Sequence, residues 1–118
     1  MKILVVDDNS GLVRTMGKVL AKAGYEVTQA NGFHEALDKA SSQKFEILLT
    51  DFDMPEGNGI ELIKRYREKN RKQKIVALIM TAYPEVELEI AKNPGTVDGF
   101  LLKPFLVREL LDMLKRYH

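Results

Sequence analysis

The chain of 118 residues has no cysteine and no tryptophan. Without cysteine there can be no disulfide and no thiolate-bound metal, and the expected setting is a reducing cytoplasm. No stretch approaches the roughly 20 apolar residues that cross a bilayer, so membrane insertion is not expected. Met1-Lys2-Ile3-Leu4-Val5-Val6 runs straight into Asp7, whereas a secretory signal needs a longer apolar segment and a small-residue cleavage site. An excess of one charge is also lacking: 18 Lys and Arg against 17 Asp and Glu leave a net charge of +1. Bulk charge therefore gives no reason to expect nucleic acid or a membrane surface as a direct partner. No internal repeat, low-complexity tract or long linker interrupts the chain. The expectation is one domain over residues 1–118, large enough for a real core.

What is present is a regular alternation. Ile3-Leu4-Val5-Val6 is a continuous apolar run, and Asp7-Asp8 stops it. Such runs fit strands buried on both faces of a parallel sheet. Asn9 or Ser10 can cap the helix that follows, in which Leu12, Val13, Met16, Val19, Leu20 and Ala23 recur at helical spacing before Gly24. Tyr25 to Ala30 alternates as an edge strand would. Phe33, Ala36, Leu37 and Ala40 form a second helical stripe. Ile47-Leu48-Leu49 is another apolar run, and it ends at Asp51. Residues 51–59 read as a loop, with Pro55, Gly57 and Gly59. Ile60, Ile63 and Tyr66 mark a third helix with Lys64, Arg65 and Arg67 on its outer side. Ile75 to Met80 is the most apolar run and reads as an interior strand ending at Thr81-Ala82. A fourth helix is expected over Pro84 to Lys92, with Pro84 at its first position. Phe100-Leu101-Leu102 is a fifth strand closed by Lys103-Pro104, and Val107, Leu110, Leu111, Leu114 and Tyr117 give a last helix.

Five strands alternating with five helices predict an α/β, doubly wound parallel sheet joined by right-handed crossovers. In such sheets ligands bind beyond the carboxyl ends of the strands. Asp7-Asp8, Asp51, Thr81 and Lys103 fall at four of the five strand ends. Three crowded carboxylates resist joint ionisation, and a divalent cation relieves them. Oxygen ligands without His or Cys suit Mg²⁺. A carboxylate can also accept a phosphoryl group as nucleophile. Asp51, alone at the end of the central strand, is the expected acceptor, while the adjacent pair Asp7 and Asp8 suits the metal. Lys103 and Thr81 would then contact the phosphoryl oxygens. Taken singly, each residue has a plainer reading: a helix N-terminus complemented by acids, a turn aspartate, a capping threonine, a solvated lysine. Their common placement is what sets them apart.

Four motifs in order carry a resemblance that covers essentially the whole chain. They are Val5-Val6-Asp7-Asp8-Asn9; Leu48-Leu49-Thr50-Asp51-Phe52-Asp53-Met54-Pro55 with Gly59 and Leu62; Met80-Thr81-Ala82; and Phe100-Leu101-Leu102-Lys103-Pro104-Phe105. The sequence resembles the bacterial response-regulator receiver family, the chemotaxis-regulator-like domains of two-component signalling. The resemblance implies a flavodoxin-like sheet of order 2-1-3-4-5. It implies Asp51 as phosphoacceptor, Mg²⁺ held by Asp7, Asp8, Asp51 and the Asp53 backbone carbonyl, Thr81 as switch hydroxyl and Lys103 as phosphoryl contact. Phe100 falls at the family's rotating switch aromatic, Asp53 and Tyr83 at positions that tune phosphoryl lifetime, and the Lys103-Pro104 bond is expected to be cis. The implied partners are a histidine kinase or histidine phosphotransfer protein and a downstream protein. The state would be a monomer or a weak phosphorylation-dependent dimer, with the signal leaving by the fourth helix, fifth strand and fifth helix. The protein would be a phosphorylation switch, or a relay intermediate, and not an enzyme.

Two departures from the family pattern stand near the expected signalling face. Gly57 replaces a larger apolar residue, which suggests a more mobile loop, and Asn93-Pro94-Gly95-Thr96 replaces the usual alanine-glycine-alanine lead into the fifth strand. His34 and His118 read as solvated side chains. The alternative enzyme is a haloacid-dehalogenase-type Mg²⁺-dependent phosphatase, suggested by Asp51-Phe52-Asp53. That motif should follow the first strand with Thr or Val two residues later, a place Pro55 takes here. A flavin-binding flavodoxin would need a phosphate loop where Asp7-Asp8 would repel phosphate. A degenerate scaffold receiver is at odds with the complete acid, threonine and lysine set.

Overall fold

The three continuous apolar runs become the interior of one sheet. In the computed structural model, which describes residues 1–117, they form β1 (Lys2–Val6), β3 (Ile47–Asp51) and β4 (Val76–Thr81). The edges are the two less buried strands, β2 (Glu26–Ala30) and β5 (Gly99–Leu102), and all five run parallel in the order β2-β1-β3-β4-β5. This is the expected flavodoxin-like arrangement. Period-2 alternation divides the strand side chains between two cores. Ile3, Val5, Ile47, Leu49, Leu78 and Met80 pack with α1 (Ser10–Lys22) and α5 (Val107–Lys115). Leu4, Val6, Leu48, Ala77 and Ile79 pack with α2 (Phe33–Ser42), α3 (Gly59–Lys69) and α4 (Val86–Ala91). β3, at the centre, is buried along its whole length.

Local chemistry sets the helix ends. The Asn9 side chain accepts from the Leu12 amide at 3.1 Å, and Asn58 accepts from Glu61 at 2.9 Å, each satisfying an orphan donor of a first turn. Gly24 follows α1 at φ 101°, a left-handed conformation that glycine adopts without steric cost. The fourth helix is shorter than its sequence predicts. It spans Val86–Ala91, and Pro84 lies before it instead of opening it. The Val86 amide bonds the Tyr83 carbonyl at 3.1 Å and the Glu87 amide bonds the Pro84 carbonyl at 3.1 Å, so the entry is a tight i→i+3 turn. Gly57 has a packing reason: a Cβ there would lie 2.5 Å from the Phe33 ring. The aromatic on α2 takes the space that a side chain at 57 would need.

Candidate functional site

Parallel pairing brings the carboxyl ends of four strands to one edge. The register sets Val6 opposite Thr50, Asp51 opposite Met80, and Thr81 opposite Leu102. The residues just past those ends must therefore meet. Asp7, Asp8 and Asp51 each offer a carboxylate oxygen, and the three atoms lie within 4.8 Å of one another. Asp7 and Asp51 are buried and Asp8 is exposed, so the group opens to solvent on the Asp8 side.

Lys103 reaches into this group from the turn after β5. Its Nζ donates to Asp7 Oδ2 at 2.6 Å and to Asp51 Oδ1 at 3.3 Å. The Lys103 amide bonds the Thr81 carbonyl at 2.7 Å, and the Lys103–Pro104 peptide is cis. One ammonium facing three carboxylates leaves the cluster short of positive charge. Burial and the neighbouring charge of Asp7 push the Asp51 carboxyl up to about 6, against the pull of Lys103. Burial alone would depress Lys103, but its hydrogen bond to Asp7 and the charges of Asp51 and Asp7 raise it. The donor set is all oxygen and over-rich in negative charge, which fits a hard divalent cation of the Mg²⁺ kind.

The carboxylates are not equivalent. Both Asp7 oxygens are engaged: Oδ1 accepts from the Asn9 amide at 3.0 Å and Oδ2 from Lys103. Asp51 has only the longer Lys103 contact on Oδ1, and its Oδ2 accepts no hydrogen bond among the described residues. Thr81 is buried, and its Oγ1 accepts from the Tyr83 amide at 3.1 Å. Phe100, opposite Ile79, is half-buried against the core of the α2–α4 face. Asp53 and Tyr83 are both exposed, and both line a hollow of about 680 Å³ between the loop after β3 and α4. His34 does not join the site; it pairs with Glu56 at 3.3 Å on the surface, and His118 lies outside the described residues.

Gly59 also shapes the site. A Cβ there would lie 2.6 Å from the Asp51 carbonyl oxygen, and the Gly59 amide bonds the Phe52 carbonyl at 2.8 Å. The loop thus folds back over the end of β3. Sequence reading marks Gly59 only as a loop glycine within a motif; the close approach depends on a backbone path that spacing does not reveal.

A doubly wound sheet with this acid-and-lysine cluster at its carboxyl edge defines a class of phosphoacceptor signalling domains. The family model described as the response regulator receiver domain matches residues 3–115, and the chain belongs to that family. It is 35% identical over 117 residues to sporulation initiation phosphotransferase F of Bacillus subtilis, covering 98% of this chain and 92% of that protein. It is 36% identical over 118 residues to chemotaxis protein CheY1 of Helicobacter pylori strain J99, covering 98% and 94%. Among solved structures, chemotaxis response regulator CheY4 of Vibrio cholerae superposes with a TM-score of 0.88 at 32% identity, covering 99% of this chain and 98% of that one. Response regulator TrrA of Thermotoga maritima, solved in complex with Mg²⁺-BeF, gives 0.86 at 27% identity, again covering 99% and 98%.

The chain is therefore a phosphoacceptor response regulator of two-component signalling, a switch whose family works with Mg²⁺ and with histidine kinases or phosphotransfer proteins. The phosphatase alternative finds no support in these relatives. No helix among the described residues is long and apolar enough to cross a membrane.

Proposed function

We propose that residues 1–118 act as one receiver domain in which Asp51 takes a phosphoryl group from the phosphohistidine of a kinase or phosphotransfer protein. The carrying observation is the single Lys103 ammonium bridging Asp7 and Asp51 while Asp51 Oδ2 accepts no hydrogen bond among the described residues. In the transfer, Asp51 Oδ2 forms a bond to phosphorus and the phosphorus–nitrogen bond to the donor imidazole breaks, its electron pair remaining with the ring. Lys103 Nζ neutralises a phosphoryl oxygen and Thr81 Oγ1 donates to another. Asp7, Asp8, Asp51 and the Asp53 carbonyl would hold Mg²⁺, which supplies charge neutralisation for the transferring group. Burial and Asp7 raise the Asp51 carboxyl to about 6, and the ionised form that nucleophilic attack requires still predominates at pH 7.

Phosphorylation draws Thr81 toward the new oxygens and opens space for Phe100 to turn inward, which remodels the surface of α4, β5 and α5. A two-state rearrangement of this size is how a small local charge change reaches a partner surface. Exposed Leu88, Leu102, Leu106 and Val107 supply apolar area on that side for a downstream protein. The test is incubation with acetyl phosphate and Mg²⁺. Intact mass should rise by one phosphoryl group, Asp51→Asn should abolish the gain, and unchanged labelling in that variant would reject the assignment.

A further inference from the structure

The opposite end of the sheet carries a concentration of charge that the phosphoacceptor chemistry does not use. Seven of the chain's 18 Lys and Arg fall between residues 64 and 74, against one acid, Glu68. Two of the seven are already paired: Arg65 with Glu61 at 2.9 Å and Arg67 with Asp98 at 3.0 Å. Lys64, Lys69, Arg71, Lys72 and Lys74 have no carboxylate within 4.0 Å among the described residues, and neither does Lys44, which the fold brings to the same end. All six are exposed. Lys44, Lys69, Arg71 and Lys72 surround a hollow of about 340 Å³ whose one acid is Glu68. That volume is at the lower end of small-ligand sites, about 300–1,000 Å³.

The loop that bears these cations is fixed from within. Asn70 Nδ2 donates to the Tyr66 carbonyl at 2.9 Å, and the Gln73 amide bonds the Asn70 carbonyl at 2.9 Å. Gln73 Nε2 donates to the Phe45 carbonyl, and its Oε1 accepts from the Tyr66 hydroxyl at 3.2 Å. The neutral residues of the segment are half-buried and used as pins, while Lys69, Arg71, Lys72 and Lys74 point to solvent. A loop backbone held in place has less freedom to lose on meeting an anion, although the cationic side chains it carries extend into solvent.

From this juxtaposition we infer that the loop from Lys69 to Lys74, with Lys44, is a binding site for a compact oligophosphate. A single phosphate would leave most of the cations uncompensated, whereas a chain of phosphates matches their density, and Arg71 adds a planar fork suited to phosphate oxygens. The shape favours a small soluble ligand over a lipid surface: the site is concave, and no apolar side chain of residues 67–74 is exposed to enter a bilayer. Single-stranded nucleic acid would want an aromatic stacking platform, and Phe45 and Tyr66, the aromatics nearby, are both buried.

The experiment is an amide NMR titration of the whole chain with tripolyphosphate, without Mg²⁺, at two salt concentrations, beside orthophosphate and poly-glutamate at matched ionic strength. Saturable shifts confined to residue 44 and residues 68–74 are expected, at least tenfold tighter than orthophosphate or poly-glutamate and weakening with salt. The double variant Arg71→Ala with Lys72→Ala should bind at least fivefold more weakly, while acetyl phosphate still labels Asp51 to the parent's extent, which shows the fold intact. The inference is overturned by an absence of saturable shifts, by shifts at the carboxyl edge instead, or by unchanged affinity in the double variant. Retention of phosphatidylserine vesicles or an RNA oligomer at this loop without competition from tripolyphosphate would overturn it as well.

Discussion

The two ends of the same sheet solve opposite problems. At the amino end, buried polar groups are fully matched. The Phe45 amide donates to the Tyr66 hydroxyl at 2.7 Å, and that hydroxyl lies 3.1 Å from the Phe45 carbonyl and 3.2 Å from Gln73 Oε1. Arg67 binds the Thr96 carbonyl at 2.9 Å and Asp98, whose Oδ2 also accepts from the Ala77 amide at 2.8 Å. At the carboxyl end, three acids cluster around one lysine that bonds, of the three, only Asp7 and Asp51, and the Asp51 carboxyl is pushed up to about 6. The first end is built to hold the fold. The second is under-neutralised, an imbalance that suits a divalent cation. Substitutions that delete a partner should therefore have opposite signs at the two ends.

The largest stability effect is expected at Asp51. A carboxyl raised in the folded state contributes stability that is complete below its ordinary value of 3.8 and is lost as pH rises through about 6. For Asp51, which solvent partly screens, the loss across that window falls below the full-burial value of about 3 kcal/mol. Asp51→Asn removes it, so the metal-free variant should be more stable than the parent at pH 7 and show a flatter pH profile between 4 and 7. Mg²⁺ should stabilise the parent by mass action and narrow the gap. Urea unfolding at several pH values, with and without Mg²⁺, measures this; a variant less stable than the parent at pH 7 without metal breaks the comparison.

Tyr66→Phe tests the other end. It leaves the buried Phe45 amide without its acceptor, at a cost of about 1–3 kcal/mol. The same denaturation assay should show a lower midpoint, with acetyl phosphate labelling intact. A neutral result would mean that the matched network contributes nothing net.

The route out of the site gives a smaller effect, visible in spectra more than in stability. Thr81→Ala should still be phosphorylated but should lose the amide shift changes across residues 84–110 that phosphorylation causes in the parent. If those changes persist, the signal leaves by a path that does not use the threonine hydroxyl.

Much of the carboxyl end is legible in the sequence because chemistry stops each strand abruptly. Asp7 ends one apolar run, Asp51 another, and Thr81 follows the third, so a parallel sheet places them together before any coordinate is known. The edges and interior are legible for the same reason: β2 alternates, while β3 and β4 do not. The amino end is opaque. Tyr66 lies 21 residues from Phe45 and 7 from Gln73, and helical spacing marks it only as one more core aromatic. The entry to α4 is misread because a proline that suits a first helical position equally suits a turn, and the i→i+3 bonds around Tyr83 and Pro84 decide between them. Gly57 reads as slack in the loop, yet the reason for it is the Phe33 ring, which arrives from a helix far earlier in the chain.

The smallest expected effect concerns how long the carboxyl end stays phosphorylated. Asp53 and Tyr83 both line the hollow between the loop after β3 and α4. Two influences oppose each other. The Asp53 carboxylate can orient a water for attack, which would speed hydrolysis. It also repels a hydroxide-like nucleophile, and the Tyr83 ring can cover the acyl phosphate. Attack must come nearly in line with the bond that breaks, so obstruction of one narrow direction governs the rate. Positioning of a single water is worth on the order of one to a few kcal/mol, about tenfold in rate per 1.4 kcal/mol. Shielding and repulsion should win, because Asp8 keeps the opening of the site acidic and the exposed Tyr83 ring lines the same hollow as Asp53. The dephosphorylation half-life at fixed Mg²⁺ should therefore shorten severalfold in both Asp53→Asn and Tyr83→Ala. If either variant holds its phosphoryl group as long as the parent, that residue does not protect the acyl phosphate; if both do, the lifetime is set by the acid cluster itself or by an external phosphatase.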